Sequence, residues 1–243
     1  MSIADNVLRV KKNIAAAAAA CGRSPEDIKL VAATKMNDAD RVREAIAAGV
    51  EYCGENRVQE LVEKNAQGAY EGSHLHFIGH LQKNKVKFLV GTAELIHSVD
   101  SPELAAEINK RAFAMGIVQD ILLEINIGGE AAKSGLSPEE LPAALEKISN
   151  LPNVRVLGLM AIPPVCRNPE ENRPYFAQMR QLYIDIGEDK KYNNVIMGIL
   201  SMGMSADYEV AISEGANMVR VGTGIFGARD YGAAASVPDT DSK

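Results

Sequence analysis

The chain reads as an α/β protein of the (β/α)8 TIM-barrel type, with one extra helix before its first strand. Three observations carry this reading. Short apolar runs alternate with segments of helical period about eight times, at about 20–40 residues per unit. The length of 243 residues matches the ~250 usual for such a barrel, whereas a doubly wound open sheet would use fewer strands. Finally, runs such as 154–162, VRVLGLMAI, are nearly continuous in apolar residues, as parallel strands buried on both faces should be.

Each element follows from its local pattern. Ile3, Val7, Ile14 and Cys21 recur at multiples of the helical period, with alanines between them and Gly22 after them. This is the extra helix, laid over one side of the domain. Residues 28–33 (IKLVAA) form the first strand. Asn37 or Asp38 caps a helix with Val42, Ala45 and Ile46 inside, stopped by Gly49. Residues 50–53 form the second strand, followed by Gly54-Glu55-Asn56-Arg57 and a helix through Val58, Leu61 and Val62. Residues 75–81 (LHFIGHL) form the third strand. Lys83, Lys85 and Lys87 then mark a solvated helix face, with Val86, Leu89 and Val90 turned inward.

Residues 95–99 form the fourth strand. Asp100-Ser101-Pro102-Glu103 opens a helix with proline in its first turn and acid at its positive end. Its inner face is Leu104, Ile108 and Phe113, and Gly116 ends it. Residues 121–127 form the fifth strand, and Ser137-Pro138-Glu139-Glu140 opens the next helix by the same device. After the sixth strand at 154–162, the Pro-, Asn- and charge-rich stretch 163–174 has the length of a mobile loop over a site. A helix through Phe176, Met179, Leu182, Tyr183 and Ile186 precedes the seventh strand, at Ile199-Leu200. A helix through Tyr208, Ala211 and Ile212 leads to the eighth strand, Met218–Val221. The barrel is expected to fill 1–231 as a single domain, with 232–243 a disordered Gly/Ala/Ser tail.

Composition narrows the function. A net charge of −6 argues against nucleic acid as a partner, because phosphate backbones require a basic face. Cys21, Cys53 and Cys166 lack CxxC spacing and read as reduced thiols in a cytoplasmic protein. Asp5, Arg9, Lys11 and Lys12 keep the alanine run at 15–20 from being a signal-peptide core. No apolar run approaches the ~18 residues of a membrane span. With 47% hydrophobic residues the chain can bury a sizeable core.

Barrels of this type keep their chemistry at the C-terminal ends of the strands. Lys35 stands there, just past the first strand. Desolvation would lower its pKa and free the amine to attack a carbonyl; the plainer reading is an exposed loop lysine. Asn56 falls at the same end of the second strand, where its amide bonds a ligand oxygen or caps the next helix. The last two strands run into Ser201-Met202-Gly203-Met204-Ser205 and Gly222-Thr223-Gly224, with Arg220 between the two turns. Such turns offer N–H groups, hydroxyls and positive helix ends to a phosphate, where a single one would be only a tight turn. His74, His76 and His80 crowd one stretch, but no Asp, Glu or Cys stands beside them at ligand spacing, which disfavours a metal.

First and eighth strands are neighbours in a barrel, so Lys35 would lie beside Arg220 and Gly222-Thr223. A ligand carrying an aldehyde and a phosphate suits all three, either pyridoxal 5′-phosphate or an open-chain phosphosugar. An arginine facing a pyridine nitrogen leaves it unprotonated, and the ring is then a poor electron sink. An aldolase would want acid and base groups near the lysine, and no carboxylate or tyrosine motif suggests them.

The blocks VAATK, GENRVQE, LHFIGHLQKNKVK, IHSVDS, KSG, GLMAIP and LSMGMSADYEVAISEGANMVRVGTGIFGARDY resemble the pyridoxal phosphate homeostasis (YggS/PROSC) family from about residue 31 to 231. The resemblance implies a barrel like the N-terminal domain of alanine racemase and of bacterial-type ornithine decarboxylase. It also implies that Lys35 forms a Schiff base with pyridoxal phosphate and that Arg220 faces the pyridine nitrogen. Ser205, Gly222 and Thr223 would hold the phosphate, with Ser201 and Met202 close by. Asn56 would approach the ring substituents, between Ile78 and Met160 as walls. A role in vitamin B6 and amino-acid homeostasis follows from the same resemblance.

The racemases and decarboxylases complete their site with a second, β-rich domain, and this sequence has only the tail after its barrel. The expectation is therefore a non-catalytic monomer that holds pyridoxal phosphate, with cofactor-requiring apo-enzymes as transient partners. A racemase or lyase of low activity and a Schiff-base aldolase stay open as alternatives, as does a second attachment point at Lys133.

Overall fold

Runs that are apolar on both faces become the staves of a closed barrel. In the computed structural model, which describes residues 1–189 and 191–227, the strands are β1 (Lys29–Ala33), β2 (Tyr52–Glu55), β3 (His74–Phe77), β4 (Leu95–Val99), β5 (Gln119–Ile125), β6 (Val154–Ala161), β7 (Val195–Ser201) and β8 (Met218–Val221). They pair in chain order, and β8 returns to β1. All neighbours are parallel, and the closing register sets Val31 against Arg220 and Ala32 against Val221. The expected tail, 232–243, lies outside the described residues, as do the last residues of the expected domain.

Helices α2 (Ala39–Ala47), α3 (Val58–Ala66), α4 (Pro102–Met115), α5 (Leu141–Ile148), α6 (Arg173–Glu188), α7 (Tyr208–Ser213) and α8 (Thr223–Phe226) alternate with the strands, and α1 (Ile3–Ala20) precedes them all. A capping box starts α1: Ser2 Oγ accepts the Asp5 N–H, and Asp5 Oδ2 accepts the Ser2 N–H. The buried Asn6 amide donates to the Ile225 carbonyl at 2.9 Å, which pins α1 over the closing strand pair. Asp38 caps α2 by accepting the Arg41 N–H at 2.9 Å, which decides between the two candidate caps.

Alternation along each strand divides the apolar residues into two cores. Val31, Leu95, Leu122, Met160 and Met218 form a small cluster that fills the barrel. The intervening residues, among them Leu30, Ala32, Phe77, Ile96 and Leu123, join the helix faces in the larger cluster outside it. Each fully buried Phe or Leu in these layers contributes ~1.5–3 kcal/mol.

Several elements differ from expectation. Phe113 is 73% exposed while Ala112 is buried: the inner stripe of α4 steps by four through Leu104, Ile108 and Ala112, and Phe113 lies about 100° round from it. On α3 the buried stripe is Val58, Leu61 and Lys64, with Val62 exposed. A 3-10 segment, Lys83–Phe88, replaces the helix expected after β3. Ser137 to Glu140 form a turn, and α5 begins only at Leu141. β3 stops at Phe77, and β7 reaches back to Val195.

Gly203, in the turn between β7 and α7, has φ +90°, and a Cβ there would sit 2.5 Å from Ala211 Cβ and 2.9 Å from Tyr208 Cα. Its carbonyl accepts the Arg220 N–H at 3.0 Å. Gly203→Ala should therefore lower the free energy of unfolding by about 1–3 kcal/mol, read from the urea midpoint. An unchanged midpoint would show that the turn is looser than described.

Candidate functional site

Counting by twos from the residues inside the barrel carries Lys35, His97, Glu124, Ser201 and Arg220 to its C-terminal end. Three groups of buried polar contacts position this set.

The first holds the chain around Lys35. The Glu55 carboxylate is fully buried and has donors on both oxygens. Oε2 accepts the Lys64 ammonium at 2.8 Å, the Thr34 hydroxyl at 2.9 Å and the Tyr70 hydroxyl at 3.1 Å. Oε1 accepts the Asn56 N–H at 2.9 Å. Lys64 also donates to the Thr34 carbonyl and to Glu60 Oε2, each at 3.0 Å. Glu60 Oε2 accepts the Met36 N–H at 2.8 Å. Thr34 and Met36, on either side of Lys35, are both tied to this ion pair. Met36 has φ +62°, a left-handed conformation that costs a non-glycine residue ~1–2 kcal/mol, and the Glu60 contact holds it there. Burial and the Glu55 charge push the Tyr70 phenol well above its ordinary range.

The second group runs down the barrel from Arg220. Its guanidinium, 4% exposed, donates to Ser201 Oγ at 2.6 Å and to the Ala161 carbonyl at 2.9 Å. Burial lowers its pKa to about 10, so it remains a cation at neutral pH. Ser201 Oγ lies 3.2 Å from His97 Nδ1, and His97 Nε2 lies 3.0 Å from His76 Nδ1. Burial holds His97 well below its usual pKa and lowers His76 to about 3, so both rings are neutral. Because arginine can only donate, the direction of the whole chain is set. Ser201 accepts from Arg220 and donates to His97 Nδ1, and His97 donates through Nε2 to His76 Nδ1. Both imidazoles are therefore the Nε2–H tautomer.

The third group is the turn after β8. Ser205 Oγ accepts the Gly222 N–H at 3.1 Å and the Gly224 N–H at 3.3 Å. With its oxygen so occupied, the hydroxyl proton is the part left to offer a ligand. Ser205, Gly222 and Thr223 thus come together, as the sequence predicts. Ser201 belongs to Arg220, and Met202 is a buried member of the outer core. Asn172, from the expected loop at 163–174, donates to Asp207 Oδ2 at 2.8 Å, and Asp207 Oδ1 accepts the Met204 N–H at 2.7 Å. The loop is thereby linked to the same turn.

A cavity of about 200 Å³ opens at this end, lined in part by Asn56, Ile78, Glu124, Lys133, Ser134 and Ile162. Gly79 brings β3's exit against Asn56, where a Cβ would lie 2.0 Å from the Asn56 carbonyl oxygen. Met160 is fully buried below. Lys133 donates to the Pro163 carbonyl at 3.2 Å and pairs with Glu130. The three clustered histidines part company: His74 pairs with Glu94 at 2.7 Å, His76 is inside the barrel, and His80 lies 2.9 Å from Ser134 Oγ.

Glu55, Lys64, His97 and Glu124 are absent from the sequence-based site. Lys64 left a trace, a charge on the apolar stripe Val58-Leu61-Lys64, and so did His97, inside the apolar run LIHSV.

The alanine racemase N-terminal domain family model matches residues 6–230. The pyridoxal phosphate homeostasis protein of Aquifex aeolicus is 47% identical over 231 residues, 95% of this chain and 100% of that one. Its counterpart in Pseudomonas aeruginosa is 43% identical, over 97% and 99% of the two chains. Among solved structures, PipY of Synechococcus elongatus with pyridoxal phosphate bound superposes with a TM-score of 0.80 at 33% identity, covering 93% of this chain and 100% of PipY. An alanine racemase of Clostridium difficile shares the fold at a TM-score of 0.67 and 18% identity, over 97% of this chain and 59% of the racemase.

Two outcomes test this geometry. Lys64→Ala strands a buried carboxylate and should cost about 3–5 kcal/mol in urea unfolding; a loss under about 1 kcal/mol, the worth of an exposed pair, would contradict the buried network. The histidines add a pH term. Their native pKa values lie below the ordinary 6.5, so under pH 6.5 the unfolded chain binds protons that the native rings refuse. Their contribution is complete above that pH and falls by about 1.4 kcal/mol per ring per pH unit on acidification. The paired change His76→Gln and His97→Gln should flatten stability between pH 6.5 and 4 relative to wild type, and parallel curves would refute the assignment.

Proposed function

The chain belongs to the family of pyridoxal phosphate homeostasis proteins, and we propose that it holds pyridoxal 5′-phosphate on Lys35 and releases it to other proteins without turning over a substrate. The observation that carries this reading is the fixing of Lys35 between Thr34 and Met36, both bonded to the Glu55–Lys64–Glu60 network, at the barrel end where the Ser205 turn and Arg220 also lie.

The residues present fit the group. Asn56 Oδ1 is buried without a hydrogen-bond partner, an orphan that awaits a ligand donor. Ser205, Gly222 and Thr223 offer hydroxyl and N–H donors to a phosphate. When bound, pyridoxal phosphate supplies an aldehyde carbon to which a primary amine attaches. Lys35 contributes that amine, Ser205 directs its hydroxyl proton to the anion, and Asn56 approaches the ring substituents between Ile78 and Met160. Arg220, bonded to Ser201 and the Ala161 carbonyl, presents a cation that gives up no proton, which leaves a facing pyridine nitrogen unprotonated. Ser201 and Met202 support this arrangement from behind.

A ring so held withdraws electrons poorly, which favours storage over carbanion chemistry. The relatives' name, homeostasis protein, supports the same role in vitamin B6 and amino-acid balance. Within this reading the chain works as a cytoplasmic monomer, one barrel domain over 1–231, with cofactor-requiring apo-enzymes as transient partners. Among the described residues no helix is long and apolar enough to cross a membrane.

Purified protein given pyridoxal phosphate should turn yellow, and borohydride should bleach it while labelling Lys35 in peptide mass spectra. Lys35→Ala should lose the band and keep the fold. Arg220→Ala should keep the band but retain the cofactor about tenfold or more less tightly, since a hydrogen bond to a charged group contributes ~1.5–3 kcal/mol. A protein that stays colourless, or is labelled on another lysine, would overturn the proposal. So would racemisation of an amino acid by the loaded protein.

A further inference from the structure

Two acceptor oxygens in the cavity at the C-terminal end of the barrel have no donor. Glu124 Oε2 and Asn56 Oδ1 are both buried and lack hydrogen-bond partners, and both residues line this one space. They come from different strands, so a single feature of the chain does not explain the pair. Buried acceptors are nearly always satisfied, and an orphan signals a missing donor.

The surroundings narrow the donor's chemistry. Asp100, at the end of β4, adds a second carboxylate close enough to act on Glu124, with the Arg220 cation opposing it. Lys133 lines the cavity, but its ammonium is engaged by the Pro163 carbonyl and by Glu130. His80 shares the lining, bonded to Ser134 and 3.8 Å from Asp100. Ile78, Ile125 and Ile162 supply apolar wall, and the volume of about 200 Å³ admits only a small molecule. A neutral hydroxyl compound would satisfy one oxygen and leave the carboxylate uncompensated. A primary ammonium carries three donors and the complementary charge.

We propose that this cavity is a subsite for the ammonium group of a small primary amine, with Glu124 and Asn56 as its acceptors and the isoleucines packing its short carbon chain. The subsite rests on the carrier reading only in its biological meaning, as the place where an amine would reach the Lys35 end of the barrel.

Burial, and then Asp100, raise the Glu124 carboxyl to about 7. Only the ionised carboxylate pairs with an ammonium, and an alkylammonium stays charged throughout this range. From pH 6 to pH 8 the ionised fraction grows about tenfold, and the affinity should grow with it.

The test uses n-propylammonium chloride, with tetramethylammonium chloride as a cation lacking N–H donors, titrated calorimetrically into cofactor-free protein at pH 6, 7 and 8. Propylammonium should bind about tenfold more tightly at pH 8 than at pH 6, and tetramethylammonium should bind far less well. Glu124→Gln, which keeps the shape, should abolish the pH dependence and weaken binding at pH 8 about tenfold or more. Asn56→Ala should weaken binding at every pH, and His80→Gln should leave the pH dependence intact. The proposal falls if propylammonium does not bind, if Glu124→Gln binds like wild type, if the pH dependence follows His80, or if tetramethylammonium binds equally. Because no cofactor is present, the result is independent of borohydride labelling: protein labelled on Lys35 that ignores propylammonium loses the subsite alone, and protein that binds the amine but takes up no cofactor loses the carrier reading alone.

Discussion

The site depends on one carboxylate removed from water. Glu55 is costly to bury as an anion, and its burial is sustainable only because Lys64, Thr34, Tyr70 and the Asn56 N–H together satisfy both oxygens. Those four donors come from α3, the β1 exit, the segment before β3 and the β2 exit. One charge thus fastens together the loops that carry Lys35 and Asn56. The left-handed Met36 is held by the next carboxylate along, Glu60, which shares the same lysine. A loop that would otherwise sample many conformations is reduced to one by an ion pair that is not itself part of the proposed ligand contacts.

The barrel interior obeys a different rule. Its lower layers are apolar, built from Val31, Leu95, Leu122, Met160 and Met218, yet two imidazoles and a guanidinium are threaded through it. They are tolerated because each hydrogen bond in the row has one possible direction, set by the cation at its head. Glu124 is the exception, with one oxygen unmatched. The polarity of the interior and the orphan acceptor at its rim belong to the same end of the strands, where such barrels concentrate their unsatisfied chemistry.

Much of this was legible in the sequence, for physical reasons. Strand identity followed from runs apolar on both faces, and barrel closure followed from their number. The placement of Lys35, Asn56, Ser205, Gly222 and Arg220 at one end followed from their positions just beyond, or within, those runs. Contacts that depend on which side chains meet across elements were not legible. Lys64 could be seen on a buried stripe, but nothing in sequence paired it with Glu55, nine positions earlier and on a different element. His97 looked like one polar residue in a strand until Ser201, 104 positions on, supplied its partner. Phe113 was misplaced because a phenyl ring outweighs an alanine in any reading of amphipathicity, although only Ala112 continues the four-residue step.

Closure of the barrel has a consequence for biosynthesis. β1 is made almost at once and β8 nearly last, yet they pair residue for residue, Lys29 with Met218 through Ala32 with Val221. While the ribosome is still working, the stretch bearing Lys35 has no partner on one side, and the Ser205–Gly222 turn does not yet exist. Such distant pairing makes folding slow and leaves strand edges exposed in the interim. Nascent chains therefore cannot capture a phosphorylated ligand through the complete set of contacts, and tight retention of one would report that synthesis and folding are both finished.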